Sequence, residues 1–139
     1  MSRLMFASSF ALLFAAAAPS FAAELTISIE GVASADGQVM VAIFNSADTF
    51  LAKPLRGAAA PAHEGTVQVQ VADLPAGDYA FAVYHDANGN GKLDRNSVGM
   101  PTEDYAFSNN AFGKRGAPSF QDARIALPAD GATIRVSLR

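Results

Sequence analysis

Apolar and polar residues alternate with a period of two over several stretches of the chain. This period is typical of β-strands that turn one face to a core and the other to water. The stretch at residues 38–44 is apolar on both faces, which predicts a strand in the middle of a sheet. Six strands are predicted in all, at residues 25–30, 38–44, 66–72, 79–85, 122–127 and 133–138.

Residues that favour turns separate the predicted strands, and no stretch has the period of a helix. The pair Asp36-Gly37 predicts a hairpin between the first two strands, and residues 45–65 are expected to form a long surface crossover. This arrangement indicates an all-β Greek-key β-sandwich of six strands, or of seven if residues 105–107 form one. A closed barrel is the alternative.

Tyr79 follows a Leu-Pro-Ala-Gly-Asp turn, which is where a tyrosine corner occurs in Greek-key sandwiches. In that motif the tyrosine hydroxyl donates a hydrogen bond back to the preceding turn. The alternative is an ordinary core tyrosine.

The first 22 residues have the pattern of a secretory signal peptide. One cation, Arg3, precedes an apolar run at residues 4–18, and the small residues Ser20 and Ala22 predict cleavage after Ala22. The run is shorter than the ~20 apolar residues that a membrane span needs. Residues 23–139 are therefore expected to form a single domain of an exported protein, periplasmic or extracellular, without a membrane span.

Composition indicates which stabilising bonds and which classes of partner are not expected. The chain has no cysteine, so disulfides do not stabilise it. Without Arg3, nine Lys and Arg residues face thirteen Asp and Glu residues, and the sequence contains no basic cluster. Nucleic acid is therefore not expected as a partner.

The most distinctive stretch, residues 86–94, directly follows the fourth predicted strand. In a calcium loop, oxygen side chains occupy positions one, three, five and nine, a carbonyl serves at position seven, and glycine makes the turn at six. This stretch matches all of these positions and has Gly91 at the turn. The predicted Ca²⁺ ligands are the side-chain oxygens of Asp86, Asn88, Asn90 and Asp94 and the carbonyl oxygen of Lys92.

The match ends at position twelve, where an EF-hand has a bidentate glutamate and this chain has Ser97. Coordination would therefore need water or a more distant carboxylate such as Glu103 or Asp104. The alternative is an Asn-Gly hairpin turn, because polar glycine-rich clusters often connect strands. Calcium is the leading hypothesis, since a turn does not require four spaced oxygen ligands.

A second candidate region, residues 96–118, is a long stretch rich in turn formers, aromatics and amides. Loops of this length inside compact domains are usually functional or wrongly assigned. The residues proposed to face a partner or ligand are Glu103, Tyr105, Phe107, Asn109 and Asn110, with Phe112 as a further stacking platform. The alternative is a lid whose aromatic side chains fill one open end of the sandwich.

Four sequence segments, considered together, are typical of one bacterial family. They are the Leu-Pro-Ala-Gly-Asp-Tyr turn, the loop that begins at His85-Asp86, the segment Gly99-Met-Pro-Thr-Glu and the segment Tyr105-Ala-Phe-Ser-Asn-Asn. With these segments the chain resembles the family called domain of unknown function 2141, over nearly all of residues 25–138. The resemblance implies an exported bacterial protein with an immunoglobulin-like or transthyretin-like sandwich, and it supplies no established catalysis.

Three functions are compatible with these features. The leading hypothesis is an exported, non-enzymatic module in which calcium holds the loop end of the sandwich and residues 96–118 face a partner. The second is a binding protein for a small ligand or glycan that uses Tyr105, Phe107 and Phe112 as stacking platforms; a close-packed pair of aromatics would refute it, and a groove beside the metal loop would support it. The third is a metal-assisted hydrolase with His85 as base, which is disfavoured because the sequence has no Gly-x-Ser-x-Gly elbow and no His-Glu-x-x-His motif.

Overall fold

Eight strands form two sheets in the computed structural model of the chain, which describes residues 22–139. The strands are β1 (Ala23–Val32), β2 (Gln38–Phe44), β3 (Arg56–Pro61), β4 (Gly65–Leu74), β5 (Gly77–Asp86), β6 (Tyr105–Phe107), β7 (Ile125–Leu127) and β8 (Ala132–Ser137). A short 3₁₀ turn, Ser108–Asn110, follows β6, and a one-turn helix, α1 (Phe120–Ala123), precedes β7. The predicted signal peptide, residues 1–22, lies outside the described residues apart from Ala22. Across residues 22–139, no helix is long and apolar enough to cross a membrane.

The smaller sheet has the order β4-β1-β8, and the larger sheet has the order β3-β2-β5-β6, with β7 also paired to β5. Within the described strands, β1 and β8 run parallel and the other pairs are antiparallel. Buried residues from both sheets form one core cluster. This two-layer arrangement confirms the predicted all-β sandwich.

Alternation along the strands builds the core. Leu25, Ile27 and Ile29 of β1 are fully buried, and Ile27 stands opposite Val69 of β4. Ile43 of β2 is fully buried in the same cluster, so apolar side chains enter it from the larger sheet as well. β2 lies between β3 and β5, which confirms the prediction of a central strand.

The turn at Asp36-Gly37 is not the predicted hairpin, because β1 and β2 belong to different sheets. It is a crossover that packs on the end of β5. A side chain could not fit there, since a Cβ atom on Gly37 would lie 1.9 Å from the carbonyl oxygen of Asp86 and the Gly37 φ is +65°. His85 holds the same turn through a 2.7 Å hydrogen bond between its Nε2 and the Asp36 carbonyl oxygen.

The prediction of a structureless crossover at residues 45–65 is also wrong, because β3 lies within it and pairs with β2. β3 reads Arg-Gly-Ala-Ala-Ala-Pro, which lacks the β-branched and aromatic residues that favour strands. It is an edge strand, and its proline stands at its last position, where a missing N–H is tolerated. With β6 at residues 105–107, this brings the strands to eight rather than six or seven. The fifth predicted strand is shorter than expected, since Ala123 closes α1 and β7 begins at Ile125.

Tyr79 forms the predicted tyrosine corner at the start of β5. Its side chain is buried, and its hydroxyl donates a 2.6 Å hydrogen bond to the carbonyl oxygen of Pro75. Removal from water raises the pKa of the Tyr79 hydroxyl, against a smaller lowering by the charge of Arg56. The hydroxyl therefore keeps its proton and remains a donor near neutral pH.

We expect Tyr79→Phe to destabilise the protein by about 1 kcal/mol, because the Pro75 carbonyl loses its donor but is exposed enough to bind water. Denaturant melts of the two proteins measure this difference. Tyr105→Phe is the matched control, since the tyrosine hydroxyl bonds among the described residues are those of Tyr79 and Tyr84. Equal midpoints for wild type and Tyr79→Phe would show that the corner bond does not stabilise the fold.

Candidate functional site

The loop at residues 86–94 begins on the last residue of β5, and Asp86 closes it into a circle. The Asp86 side chain is almost fully buried (2 % exposed). Its Oδ1 accepts a hydrogen bond from the backbone N–H of Asn90 at 3.1 Å, and its Oδ2 accepts one from that of Gly91 at 2.8 Å. The loop is therefore shaped by its own first residue.

The other predicted side-chain ligands converge on Asp94. The amide nitrogens of Asn88 and Asn90 donate to the two carboxylate oxygens of Asp94, at 2.5 and 2.7 Å. These hydrogen bonds, first that from Asn90 and then that from Asn88, hold the pKa of the Asp94 carboxyl below its usual range. A half-turn of either amide exchanges its nitrogen and oxygen, which differ little in size. The fold thus joins the side chains of Asn88, Asn90 and Asp94, while the Asp86 carboxylate contacts the same loop through backbone N–H groups.

Two further predicted residues lie at this loop. The backbone N–H of Lys92 donates to the Asn90 Oδ1 at 3.0 Å, so the Lys92 main chain follows the same circle. Glu103 is also close, since its Oε2 accepts from the backbone N–H of Asp94 at 3.1 Å. Asp104 is engaged through its carbonyl oxygen, which accepts from the His85 N–H. Of the two distant carboxylates considered for completing coordination, Glu103 is therefore the one that contacts the loop.

The donor set of the loop suits a hard cation. Carboxylate, amide and carbonyl oxygens are the ligands that Ca²⁺ prefers, and the loop offers no softer donor. Within residues 22–139, no group of three or more His, Cys, Asp or Glu side chains is placed to hold a metal ion. A cation in this loop would therefore depend on the amides of Asn88 and Asn90 and on carbonyl oxygens, as well as on Asp86 and Asp94.

Residues 95–101 form a lobe that starts and ends at the base of the loop. The carbonyl oxygen of Asp94 accepts from the N–H of Thr102 at 2.8 Å, and Arg95 forms a bridge with Pro101. Inside the lobe, Asn96 Oδ1 accepts from two backbone N–H groups. The position of the lobe therefore follows from that of Asp94.

The amides of Asn109 and Asn110, predicted to face a ligand, are used by the fold. Asn109 Nδ2 donates to the carbonyl oxygen of Arg124 at 2.8 Å and to that of Asp122 at 3.2 Å. Asn110 Oδ1 accepts from the backbone N–H of Ser137 at 2.8 Å. Both residues have positive φ, which asparagine tolerates better than most residues. These side chains fasten the segment after β6 to α1, β7 and β8.

The predicted aromatic platforms divide into packed and exposed rings. Phe107 lies in a second core cluster with Phe120, and Tyr105 packs edge-to-face against it with ring centroids 5.8 Å apart. This pair fits the alternative of a lid, and close packing argues against stacking of a ligand between the two rings. Phe112, by contrast, is 70 % exposed.

A cleft of about 660 Å³ lies beside the loop. Its lining residues come from the lobe at residues 95–101, which we call one wall, from the turn at residues 113–117, which we call the other, and from residues such as Tyr105 and Phe112. Four basic side chains, of Arg95, Lys114, Arg115 and Arg139, line it, although the sequence has no basic cluster. The groove that would support ligand binding is therefore present.

Ser108 is a residue that the sequence analysis missed. Its side chain is fully buried, and its hydroxyl bonds to the N–H of Phe81 at 3.0 Å and to the carbonyl oxygen of Ala123. It thus bridges β5 to the residues before β7, where β6 has ended. No periodicity marks this serine, and its place in the Phe-Ser-Asn segment was the only signal.

A family model described as an uncharacterized protein conserved in bacteria (DUF2141) matches residues 27–135. The chain belongs to this family. The match runs from within β1 to within β8 and includes the loop, the lobe and both walls of the cleft. No curated protein and no solved structure matches the DUF2141 chain. Family membership confirms the resemblance seen in the sequence and assigns no activity.

We expect Asn90→Ala to raise the pKa of Asp94 toward its ordinary value, because the hydrogen bond that lowers this pKa most is lost. A lowered carboxyl pKa stabilises the fold at pH above the ordinary aspartate value, and this is lost as the pH falls through the lowered pKa. NMR titration of the Asp94 carboxyl carbon in chelator measures the shift. Asn45→Ala, in the exposed loop after β2, is the control. An unchanged midpoint in Asn90→Ala would contradict the contact.

We expect Ser108→Ala to destabilise the protein by about 2 kcal/mol, because the buried Phe81 N–H and Ala123 carbonyl lose a partner that water cannot replace. Thermal and denaturant melts measure the loss. Ser137→Ala is the matched control, since the Ser137 hydroxyl is exposed and bonds only to Glu30. Similar melts for the two variants would mean that the buried bridge adds nothing.

Proposed function

We propose that this DUF2141 chain is an exported, non-enzymatic binding module that holds Ca²⁺ in the loop at residues 86–94. The observation that carries the proposal is the convergence of Asp86, Asn88, Asn90 and Asp94, with Glu103 beside them. Export rests on the signal-peptide pattern of residues 1–22.

The charges around the loop support a cation. Burial raises the pKa of the Tyr84 hydroxyl, and the carboxylates of Asp86, Glu103 and Asp94 raise it further. Three negative charges therefore act on one point, and Tyr84 itself donates to the Gly91 carbonyl oxygen of the loop at 3.0 Å. A divalent cation bound in the loop would be attracted by these three charges.

The connection between β5 and β6 supports calcium over a plain hairpin turn. β5 and β6 are antiparallel neighbours, with Tyr84 opposite Tyr105, yet residues 87–104 separate them. A hairpin of two to five residues would be enough to join them. The extra residues form the loop and the lobe. Calcium binding would explain this length, because a loop fixed by calcium would in turn position the lobe.

The surroundings of His85 support a non-catalytic role. The hydrolase alternative needs this histidine as a base that reaches a substrate. Its side chain is 4 % exposed, and its Nε2 already bonds to the carbonyl oxygen of Asp36. The histidine therefore joins β5 to the crossover between the sheets.

The cleft favours the small-ligand form of this function. Its volume lies in the range of small-molecule sites, and it borders the lobe that the loop positions. In this proposal calcium fixes one wall of the cleft, and the ligand binds between that wall and the turn at residues 113–117.

We expect calcium to raise the melting temperature by a few degrees over that in chelator. Sites of this kind bind with dissociation constants of ~0.1 to 1 mM. At ten times the dissociation constant, the native state gains about 1.4 kcal/mol, which corresponds to a few degrees for a domain of this size. Magnesium should raise the melting temperature less than calcium does, because Mg²⁺ requires a compact octahedral arrangement of ligands.

Asp94→Asn is the informative variant, because Asp86 also holds the backbone of the loop and its loss would damage the loop without metal. We expect Asp94→Asn to abolish the difference between calcium and chelator. Asp130→Asn, an equal charge change in the exposed turn before β8, should retain it. Superimposable melts of the wild type in calcium and chelator, with no binding in calorimetry at millimolar calcium, would refute the proposal.

A further inference from the structure

We propose that the cleft binds a monomeric anionic amphiphile, a molecule with one acidic head group and an aliphatic chain such as a free long-chain carboxylate. This inference gives the proposed binding module a ligand class. It rests on that proposed function, but its observations are those of the cleft, so ligand binding and calcium binding can be measured as separate readouts.

The first argument is charge. The chain is acidic overall, yet four of its basic side chains line this one cleft and no acidic residue does. In the described part of the chain, the ion pairs are Arg124 with Asp78 and Arg135 with Glu30, so no cleft cation is neutralised by a carboxylate. A cleft with unpaired positive charge attracts an anion and focuses its field on it.

The second argument is the position of the cations. The guanidinium of Arg139 donates to the Asn110 carbonyl oxygen at 2.9 Å and lies 4.7 Å from the centre of the Phe112 ring. Arg95 is held in the other wall by a 3.0 Å hydrogen bond to the Gly99 carbonyl oxygen. Both guanidinium groups are fixed before a ligand arrives and keep further N–H groups for it.

The third argument is the turn that carries Lys114 and Arg115. The N–H of Gly113 donates to the Gly116 carbonyl oxygen at 3.0 Å, and a Cβ on Gly113 would lie 2.4 Å from the Ala117 carbonyl oxygen. Only glycine permits this close approach. The tight turn therefore contributes two adjacent cations, Lys114 and Arg115, to the lining of the cleft.

The fourth argument is apolar surface. Val98 and Met100 of the lobe are 79 % and 59 % exposed, and Phe112 is a third exposed apolar side chain that lines the cleft. Large apolar side chains that gather in water around one cleft mark a binding surface. A purely polar anion such as phosphate would leave this surface wet, whereas an aliphatic chain would cover it.

Charge and apolar surface together select the ligand class. A head group at the cationic rim and a chain along the lobe and the Phe112 ring would satisfy both. The volume of about 660 Å³ accommodates one such molecule. A nucleic acid fits less well, because it needs a basic track that follows its backbone beyond a single cleft.

The test compares three probes that share a twelve-carbon chain, each below its micelle concentration, by calorimetry on the mature chain. They are dodecanoate, dodecyltrimethylammonium and dodecyl maltoside. We expect dodecanoate to bind about tenfold tighter than the cationic probe, since attraction replaces repulsion at the rim. Equal affinity for the three probes, or no binding of dodecanoate, would overturn the proposal.

Two variants locate the binding. Arg115→Glu should weaken dodecanoate binding about fivefold, whereas Lys53→Glu, the same charge change at an exposed site outside the cleft, should leave it within about twofold. Phe112→Ala should weaken binding of dodecanoate and dodecyl maltoside alike, by about tenfold, because the chain loses its ring contact. Leu55→Ala, at another exposed apolar residue, is its control. Binding that neither Arg115→Glu nor Phe112→Ala alters would lie elsewhere and would overturn the assignment.

One further arm separates a free amphiphile from a membrane lipid with the same chemistry. Sedimentation with phosphatidylglycerol vesicles, in the absence of dodecanoate binding, would show a membrane surface as the partner and overturn the proposal. Selective dodecanoate binding by a protein that fails the calcium test would support the cleft and refute only the metal site. Calcium titration and dodecanoate titration of the wild-type protein, each without the other ligand, provide this comparison.

Discussion

Pairing of β5 along both edges is the constraint on which the rest of the structure depends. β2 covers residues 80–86 of β5, while β6 pairs with residues 82–84 and β7 with residues 77–79. The Ser108 hydroxyl accepts from the N–H of Phe81 and donates to the carbonyl oxygen of Ala123, so it bonds to β5 where β6 has ended. A strand held in this way is rigid to its last residue. That residue is Asp86, and the loop is therefore built on a fixed point.

Sequence periodicity predicted the strands that bury one face. It could not predict strands and turns whose structure depends on pairing with residues elsewhere in the chain. The valines of β4 alternate with glutamines, and the structure has a strand over these residues as predicted. β3 carries alanines at the edge of a sheet, and only its pairing to β2 makes it a strand. Asp36-Gly37 gives the same local turn signal for a hairpin and for a crossover, since the choice of sheet depends on residues far along the chain.

The same distinction applies to the site. The side chains around the loop could be predicted because Asp86, Asn88, Asn90 and Asp94 are near in sequence, and a circle of nine residues brings them together. The cleft could not be predicted, because its basic residues are far apart in sequence: they come from the lobe, the turn at residues 113–117 and the end of the chain. For Asn109 and Asn110 the prediction was wrong in the other direction, because it assigned ligand contacts to side chains that the fold uses. Polar residues in a long loop look available for a ligand, yet their amides hold the loop to its neighbours.

Asp94 connects the loop with the cleft. Its carboxylate lies among the predicted metal ligands, its N–H donates to Glu103, and its carbonyl oxygen accepts from Thr102 at the far end of the lobe. The lobe itself exposes Val98 and Met100 and packs little apolar surface into the core, so the sandwich alone gives it little stability. Its position follows from hydrogen bonds at its base, and anything that orders Asp94 also orders one wall of the cleft. A ligand in the cleft and a cation in the loop would then favour the same arrangement of the lobe, so each should bind more tightly in the presence of the other.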